Sequence, residues 1–439
     1  MSTLQIIANL LAYACFGFGT LLIWPSRRNV IAWMSFPFYI TTALIPLLVI
    51  NYGEVSSQQT IDTLTTLNIF GALAMAAGIV LGGHVRLPRI RLPSFARRRA
   101  WSDPVLPIRR TFAVMVVGCV LMTFCFAWMG TLPIFAEQPF LAKFFKGPYK
   151  EKYDQVAVIY RFAQAILAAA MPMAIAFLVA VRDRKMLLVV GWAVAIFALS
   201  LNRGTVVAGA VLLIAAWSSE SRRRLVVFLT FSTMLYALGS SVYVLLGILV
   251  PNDFNLWVEI AHGAPDVNDH LAFLGKFDPF RDLTYGMTFI GGLVPSNFMY
   301  NPSVYTLAIV NDTFDISDIA SGGFRLPPSV SGYMAFGWFG ALVVPFVSGV
   351  ISGHFTRRYR AMPKHNLAQH VAVLLWYQFC AGFWVGFYSL SYQGVISIII
   401  FLWLVPSIDS LGRLAPARKV NRRRLLRWPR PAGAPVEST

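Results

Sequence analysis

The sequence predicts an all-α polytopic membrane protein with about eleven membrane-spanning helices. Three observations predict it. Hydrophobic residues make up 57% of the 439-residue chain and charged residues only 13%, whereas soluble domains carry roughly 25% charged residues. The apolar residues gather into stretches near the ~20 residues that cross a hydrocarbon layer. The charges fall almost entirely in the short segments between those stretches.

The expected spans, in order, are Leu4–Trp24, Val30–Ile50, Leu64–Gly83, Thr111–Gly130, Val156–Val181, Met186–Ser200, Thr205–Trp217, Leu225–Val250, Val330–Gly353, Gln369–Phe387 and Val395–Val405. Residues 1–250 thus hold spans one to eight, 251–328 form a large outer loop, 329–406 hold spans nine to eleven, and 407–439 are a basic tail. No basic residue precedes the first apolar run, which therefore reads as a retained helix and not a cleaved signal. Cys15, Cys119, Cys125 and Cys380 all lie in apolar segments without metal spacing, so no disulfide framework is expected.

A formal net charge of +18 raises nucleic acid as a partner, but the distribution of charge speaks against it. No folded basic domain is visible. Short basic runs between apolar segments match cytoplasmic loops that face anionic lipid. The segments 26–29, 84–110, 182–185, 218–224, 354–364 and 407–430 are all net basic. They alternate with the rest if the N-terminus is outside and the C-terminus inside. Residues 251–328 have the opposite character, with nine acids and only Lys276, Arg281 and Arg325 as basic residues. Residues 131–155, with four lysines, three acids and no arginine, fit least well and stay outside. A single span over Met186–Trp217 would put Arg222, Arg223 and Arg224 outside, so two short helices joined at Asn202-Arg203-Gly204 are preferred. A crossing near Met287–Val294 would invert Arg357, Arg358 and Arg360; that stretch reads as interfacial or packed on the bundle.

None of the nineteen carboxylates lies inside these spans. Proton- and sodium-coupled transport commonly needs an intramembrane acid, so that class is disfavoured. Of twenty-nine arginines, twenty-five lie in the inner segments; Arg161, Arg203, Arg281 and Arg325 do not. Guanidinium groups bind phosphate oxygens bidentately and stay charged. An outer cluster of them suits a lipid-linked pyrophosphate. The competing reading pairs each with a nearby acid, such as Asp278 or Asp282, or lets it snorkel to headgroups. In the large loop, His262 and His270 lie among Glu259, Asp266, Asp269, Asp278 and Asp282. A histidine or carboxylate here could deprotonate a hydroxyl; His262, Asp278 and Asp282 are the candidates. No metal-ligand series is present, and no metal or cofactor is expected.

Arg325-Leu-Pro-Pro-Ser-Val-Ser-Gly-Tyr-Met-Ala-Phe-Gly-Trp-Phe-Gly enters the ninth span, and Pro327 and Pro328 suit a helix start. The proline pair, the small residues and the Phe-Gly-aromatic-x-Gly run resemble the late span of Wzy-type polymerases of O-antigen and exopolysaccharide repeat units. Asn202-Arg203-Gly204 resembles the Ser-Arg-Gly turn of the same family. The resemblance covers the layout of the chain, while its motifs cover about twenty residues. It implies a GT-C-like bundle with a large outer loop between spans eight and nine. It also implies an undecaprenyl-pyrophosphate-linked oligosaccharide donor and metal-independent glycosyl transfer on the outer face of the bacterial inner membrane. Arg203 and Arg325 would then hold the pyrophosphate, with Arg161 and Arg281 added from the charge census. Membrane lipids, and a protein that sets chain length, are the other partners this reading admits. The alternatives are an O-antigen-ligase-like transferase and a transporter or flippase of a lipid-linked or anionic solute.

Overall fold

Lipid offers no hydrogen-bond partners, so a backbone that crosses it must satisfy its own N–H and C=O groups; an α-helix does so within one segment. The computed structural model of the chain describes residues 1–84, 105–181, 183–245, 257, 261, 267–294, 298–316, 319, 322–362, 366–381, 389–405 and 408–411. Among these residues the regular elements are helices and no strand is present.

The main helices are α1 (Thr3–Ile23), α2 (Val30–Val49), α3 (Gln58–His84), α4 (Val105–Met129), α5 (Lys150–Val181), α6 (Arg184–Leu199), α7 (Arg203–Ser218), α8 (Arg222–Leu245), α9 (Val267–Lys276), α10 (Met287–Gly291), α11 (Pro302–Asn311), α12 (Pro328–Ala361), α13 (Leu367–Ala381) and α14 (Tyr392–Leu404). Among the described residues six of them, α1 to α5 and α12, are long and apolar enough to cross a membrane. The chain is an all-α membrane protein.

Local chemistry explains the helix ends. Ser2 and Gln5 form a capping box at the start of α1: the Ser2 N–H donates to Gln5 Oε1 at 2.7 Å, and the Gln5 N–H donates to Ser2 Oγ at 3.3 Å. Inside α2, Pro37 lacks an N–H and a π-helical turn follows at Ile40–Leu44. The Thr42 hydroxyl donates to the Phe38 carbonyl at 2.7 Å there.

The bundle has two distinct end faces. Gln5 Nε2 donates to Asp62 Oδ1 at 2.6 Å, which puts the starts of α1 and α3 together. Helices α9 to α11 pack at this end, the cap face. At the other end, the basic face, Arg28 donates to the Met362 carbonyl and Arg110 to the Trp403 carbonyl, both at 2.7 Å. Asn366 donates to the Leu411 carbonyl there at 2.6 Å. Met1 and Leu411 therefore lie at opposite ends.

Helices α3 and α12 run parallel and pack backbone to backbone. A Cβ at Gly78 or Gly82 would overlap the carbonyl of Phe346 or Val350, and one at Gly349 or Gly353 would overlap that of Met75 or Ile79. Lipid gives no hydrophobic drive between helices, so small residues that permit such an approach decide the pairing.

Helix α12 is not one straight element. Phe336 and Gly337 leave the helical region, and Gly337 has φ +62°. A Cβ at Gly332 would overlap the Gly340 carbonyl, and a Cβ at Gly340 would overlap that of Gly332. Eight residues apart in a straight helix, these groups would be about 12 Å distant. The chain therefore folds back: Pro328–Ala335 is a half-helix lying against Trp338 onward. The expected ninth span at Val330–Gly353 is corrected accordingly. Its first turns belong to the half-helix, because glycines at 332, 337 and 340 allow a turn that side chains would block.

Two hydrophobic clusters result. One joins α1, α3, α9 and the half-helix; the other joins α4 to α8, α13 and α14, and α2 serves both. Replacing Gly340 with Val should therefore force the hairpin apart, at a cost of at least about 1–3 kcal/mol. Thermal melting in detergent should show a large fall. Gly191, whose Cβ would meet nothing within 4 Å, is the control, and Gly191→Ala should melt at or above wild type. Equal melting of both variants would refute the fold-back.

Candidate functional site

Buried polar groups need partners, and those on the cap face form a chain. Asn9 Nδ2 donates to Thr65 Oγ1 at 2.9 Å, Asn68 Nδ2 to Asn9 Oδ1 at 2.8 Å, and Ser329 Oγ to Asn68 Oδ1 at 2.7 Å. This ladder ties α1 and α3 to the start of the half-helix. Asn68 lies ten residues into α3, about 15 Å along its axis. The Thr284 N–H closes the far end of the half-helix by donating to the Met334 carbonyl at 3.1 Å.

His270 extends the same logic. It is buried in α9, with Tyr13 Oη 2.7 Å from Nδ1 and the Arg325 carbonyl 3.1 Å from Nε2. A carbonyl only accepts, so Nε2 carries the proton and the Tyr13 hydroxyl donates to Nδ1. Burial pushes the imidazole down to about 3. A neutral imidazole thus fixes the backbone of Arg325, whose side chain is exposed. Burial pushes the Asp269 carboxyl up to about 7, against the opposing pull of the Arg325 charge.

A second cluster surrounds Arg161. Helix α5 begins at Lys150, six residues before the expected start, so Arg161 lies three turns inside it. Its Nε donates to the Tyr153 hydroxyl at 2.8 Å and its Nη1 to the Tyr392 hydroxyl at 3.1 Å. Tyr153 stacks on Phe145 with centroids 4.1 Å apart, and Tyr160 packs edge-on at 4.9 Å from Phe145. Tyr160 hydrogen-bonds the Asn202 side chain, which brings the Asn202-Arg203 turn beside this cage. Two non-glycine residues with left-handed backbone flank it, Phe145 at φ 52° and Leu201 at φ 54°. Leu201 and Asn202 close α6 in a Schellman arrangement, the Asn202 N–H donating to the Phe197 carbonyl at 3.0 Å. Such backbone costs about 1–2 kcal/mol per residue, and it gathers where a site is over-determined by its surroundings. Next to the cage, α4, α6 and residues 130–149 enclose an apolar groove of about 870 Å³, lined in part by Phe126, Trp192, Ile196, Leu199 and Tyr149.

The candidates from the sequence divide as follows. Arg161 and the turn that opens α7 at Arg203 come together, while the Arg203 side chain lies outside the described residues. Arg325 sits on the same end face. Arg281 is 80% exposed and reaches Asp282 Oδ1 at 3.4 Å, a surface pair of little energetic weight. Asp278 Oδ1 accepts from the Phe280 N–H, and Asp282 Oδ2 accepts from the Asp278 N–H, each at 2.9 Å; both carboxylates lock their own turn. His262 lies outside the described residues. Among the described residues no three His, Cys, Asp or Glu side chains gather as a metal site.

No family model, no curated protein and no solved structure matches this chain. The site therefore has to be read from its own chemistry.

Sequence reasoning missed Tyr153 and Tyr392 as arginine partners, the strut from Tyr13 to His270, and the special place of Asp269. Arg161 and Tyr392 are 231 residues apart, and no local pattern marks such a pair. The strut makes a pH prediction. The unfolded chain takes up the imidazole proton near 6.5, so this stabilisation is complete above that pH and is lost as the pH falls toward 3. In His270→Gln that titration is gone. The stability gap between wild type and His270→Gln should narrow below pH ~6.5, by up to about 1.4 kcal/mol per pH unit. A constant or widening gap in detergent melts would show that the imidazole is not held neutral.

Proposed function

We propose that this protein polymerises oligosaccharide repeat units carried on undecaprenyl pyrophosphate. The growing glycan would pass from its lipid pyrophosphate to a sugar hydroxyl on the next lipid-linked unit. The observation that carries the reading is the Arg161 cage. A half-buried guanidinium is held by two phenols, with no ion pair among the described residues, beside the Asn202-Arg203 turn. Two of its five N–H groups are used, and the others are left for an anion. Arg325 adds a second guanidinium on the same face, its backbone carbonyl held by the neutral His270 strut. The leaving pyrophosphate gains charge as the glycosidic bond breaks, and fixed guanidinium groups stabilise that charge. The apolar groove beside the cage suits the hydrocarbon of a lipid-linked donor.

The topology behind this reading has eleven crossings, with the cap face outside and the basic face in the cytoplasm of a bacterial inner membrane. Helices at each expected span, and Met1 and Leu411 at opposite ends, support it. Reporter fusions after Arg110 and near Asn311 should fall in opposite compartments; a shared compartment overturns the arrangement.

The functional test uses the lipid-linked glycans that accumulate when the protein is removed, supplied to the purified protein in liposomes. Arg161→Lys, Arg203→Lys and Arg325→Lys keep the charge but lose the planar fork. Each should cut polymer formation roughly ten- to a hundredfold, the loss of one charged hydrogen bond at about 1.5–3 kcal/mol. Arg223→Lys, exposed on the basic face, should stay near wild type. Normal polymer from the cap-face variants would remove the reading. Transfer of a single block to a different acceptor, without polymer, would mark a ligase-like transferase instead.

A further inference from the structure

The described carboxylates of the large loop are not equivalent. Asp278 and Asp282 are spent on their own turn. Asp312 meets Lys276 at 3.0 Å with both side chains more than half exposed, at 71% and 54%. Asp269 differs from all of these. It lies half-buried in the first turn of α9, one residue before His270, with the Arg325 guanidinium acting on it. Its position is set by three anchored neighbours. Val267 and Leu271 bury against α1 and α3, and His270 is bonded at both ring nitrogens. Because His270 holds the Arg325 carbonyl, the Arg325 backbone is tied to α9. The fold thus sets a carboxylate one residue from the histidine that binds the backbone of the arginine assigned above to the pyrophosphate.

We propose that Asp269 is the general base of the transfer, accepting the proton of the acceptor sugar hydroxyl while Arg325 holds the departing pyrophosphate. This rests on the polymerase reading. The hydroxyl oxygen bonds to the anomeric carbon of the donor as the bond from that carbon to the phosphate oxygen breaks. The electron pair leaves on the lipid pyrophosphate. The hydroxyl proton passes to an Asp269 carboxylate oxygen and then to water. No oxidant, reductant or further reactant is needed. Burial supplies the basicity, since a carboxyl raised to about 7 takes a proton far better than one at 3.8. The groups behind it, Tyr13 and His270, are neutral and do not oppose that shift.

The test compares wild type with Asp269→Asn and Asp269→Gly in liposomes, reading polymer rate and, separately, binding of the lipid-linked donor by native mass spectrometry. Asp269→Asn, nearly the same shape, should lose roughly 10²-fold or more in rate while donor binding stays within about twofold. Added formate should restore at least about tenfold of the rate lost by Asp269→Gly, since a small carboxylate can occupy the vacated place. A rate for Asp269→Asn within about threefold of wild type overturns the assignment. So does a fall in donor binding equal to the fall in rate, or a failure of formate to rescue. Should Asp269→Asn not accumulate, the formate experiment on Asp269→Gly decides alone. Wild-type protein that binds the donor yet makes no polymer would overturn the polymerase reading itself, a result distinct from active Asp269→Asn.

Discussion

The buried polar ladder and the place of Arg325 depend on the backbone contact between Gly332 and Gly340. Two helical segments of one chain touch there with no side chain between them. The fold-back at Phe336–Gly337 brings Ser329 down to Asn68, well inside the bundle. Arg325 is carried with it, and its carbonyl comes within reach of a histidine in α9. A larger residue at either glycine would leave the half-helix no room against Trp338 onward. The same principle joins α3 to α12, where Gly78, Gly82, Gly349 and Gly353 remove side chains from the seam. In lipid, apolar surface gains nothing from burial against another helix, so closeness of packing and buried polar bonds decide the arrangement.

Neutral groups, and not acids, do the positioning. Arg161 is held by two phenols, and Arg325 is anchored through its carbonyl by a neutral imidazole. A carboxylate in place of the phenols would consume the positive charge of Arg161. The phenols orient the Arg161 guanidinium and leave most of its field for a ligand. The contrast with Arg357 is instructive. Its Nη1 donates to the carbonyls of Gly83 and His84, at 3.1 Å each, and so closes the C-terminal end of α3. One residue type therefore closes a helix end on the basic face and is held by phenols at Arg161. The left-handed backbone at Phe145 and Leu201 fits this picture, because the aromatic cage over-determines both residues.

Much of the architecture was legible in the sequence, for a physical reason. A segment that crosses lipid must be apolar along its whole length, and that demand is local. Every expected span but the ninth overlaps one helix among the described residues, with ends that shift where polar residues extend the turn. Gln58–Asp62 lengthen α3, and Lys150–Gln155 lengthen α5. Arg161, Arg203, Arg281 and Arg325 also stood out, because they lie outside the basic segments that hold the other arginines. The proline pair marked the start of a helix correctly.

What tertiary structure alone decided is whatever joins residues far apart in the chain. Composition could not tell a span from a half-helix that folds back, since Val330–Ala335 is as apolar as its continuation. Only the glycine contact eight residues on separates them. Nor could spacing pair Arg161 with Tyr392, Tyr13 with His270, or Asp269 with Arg325, because contact across a bundle leaves no trace in local pattern. Asp269 looked like any other acid of an acidic loop, and burial beside Arg325 is what sets it apart. The sequence determined by itself a helical membrane protein with misplaced arginines. The fold determined which of them are held, by what, and which acid stands next to them.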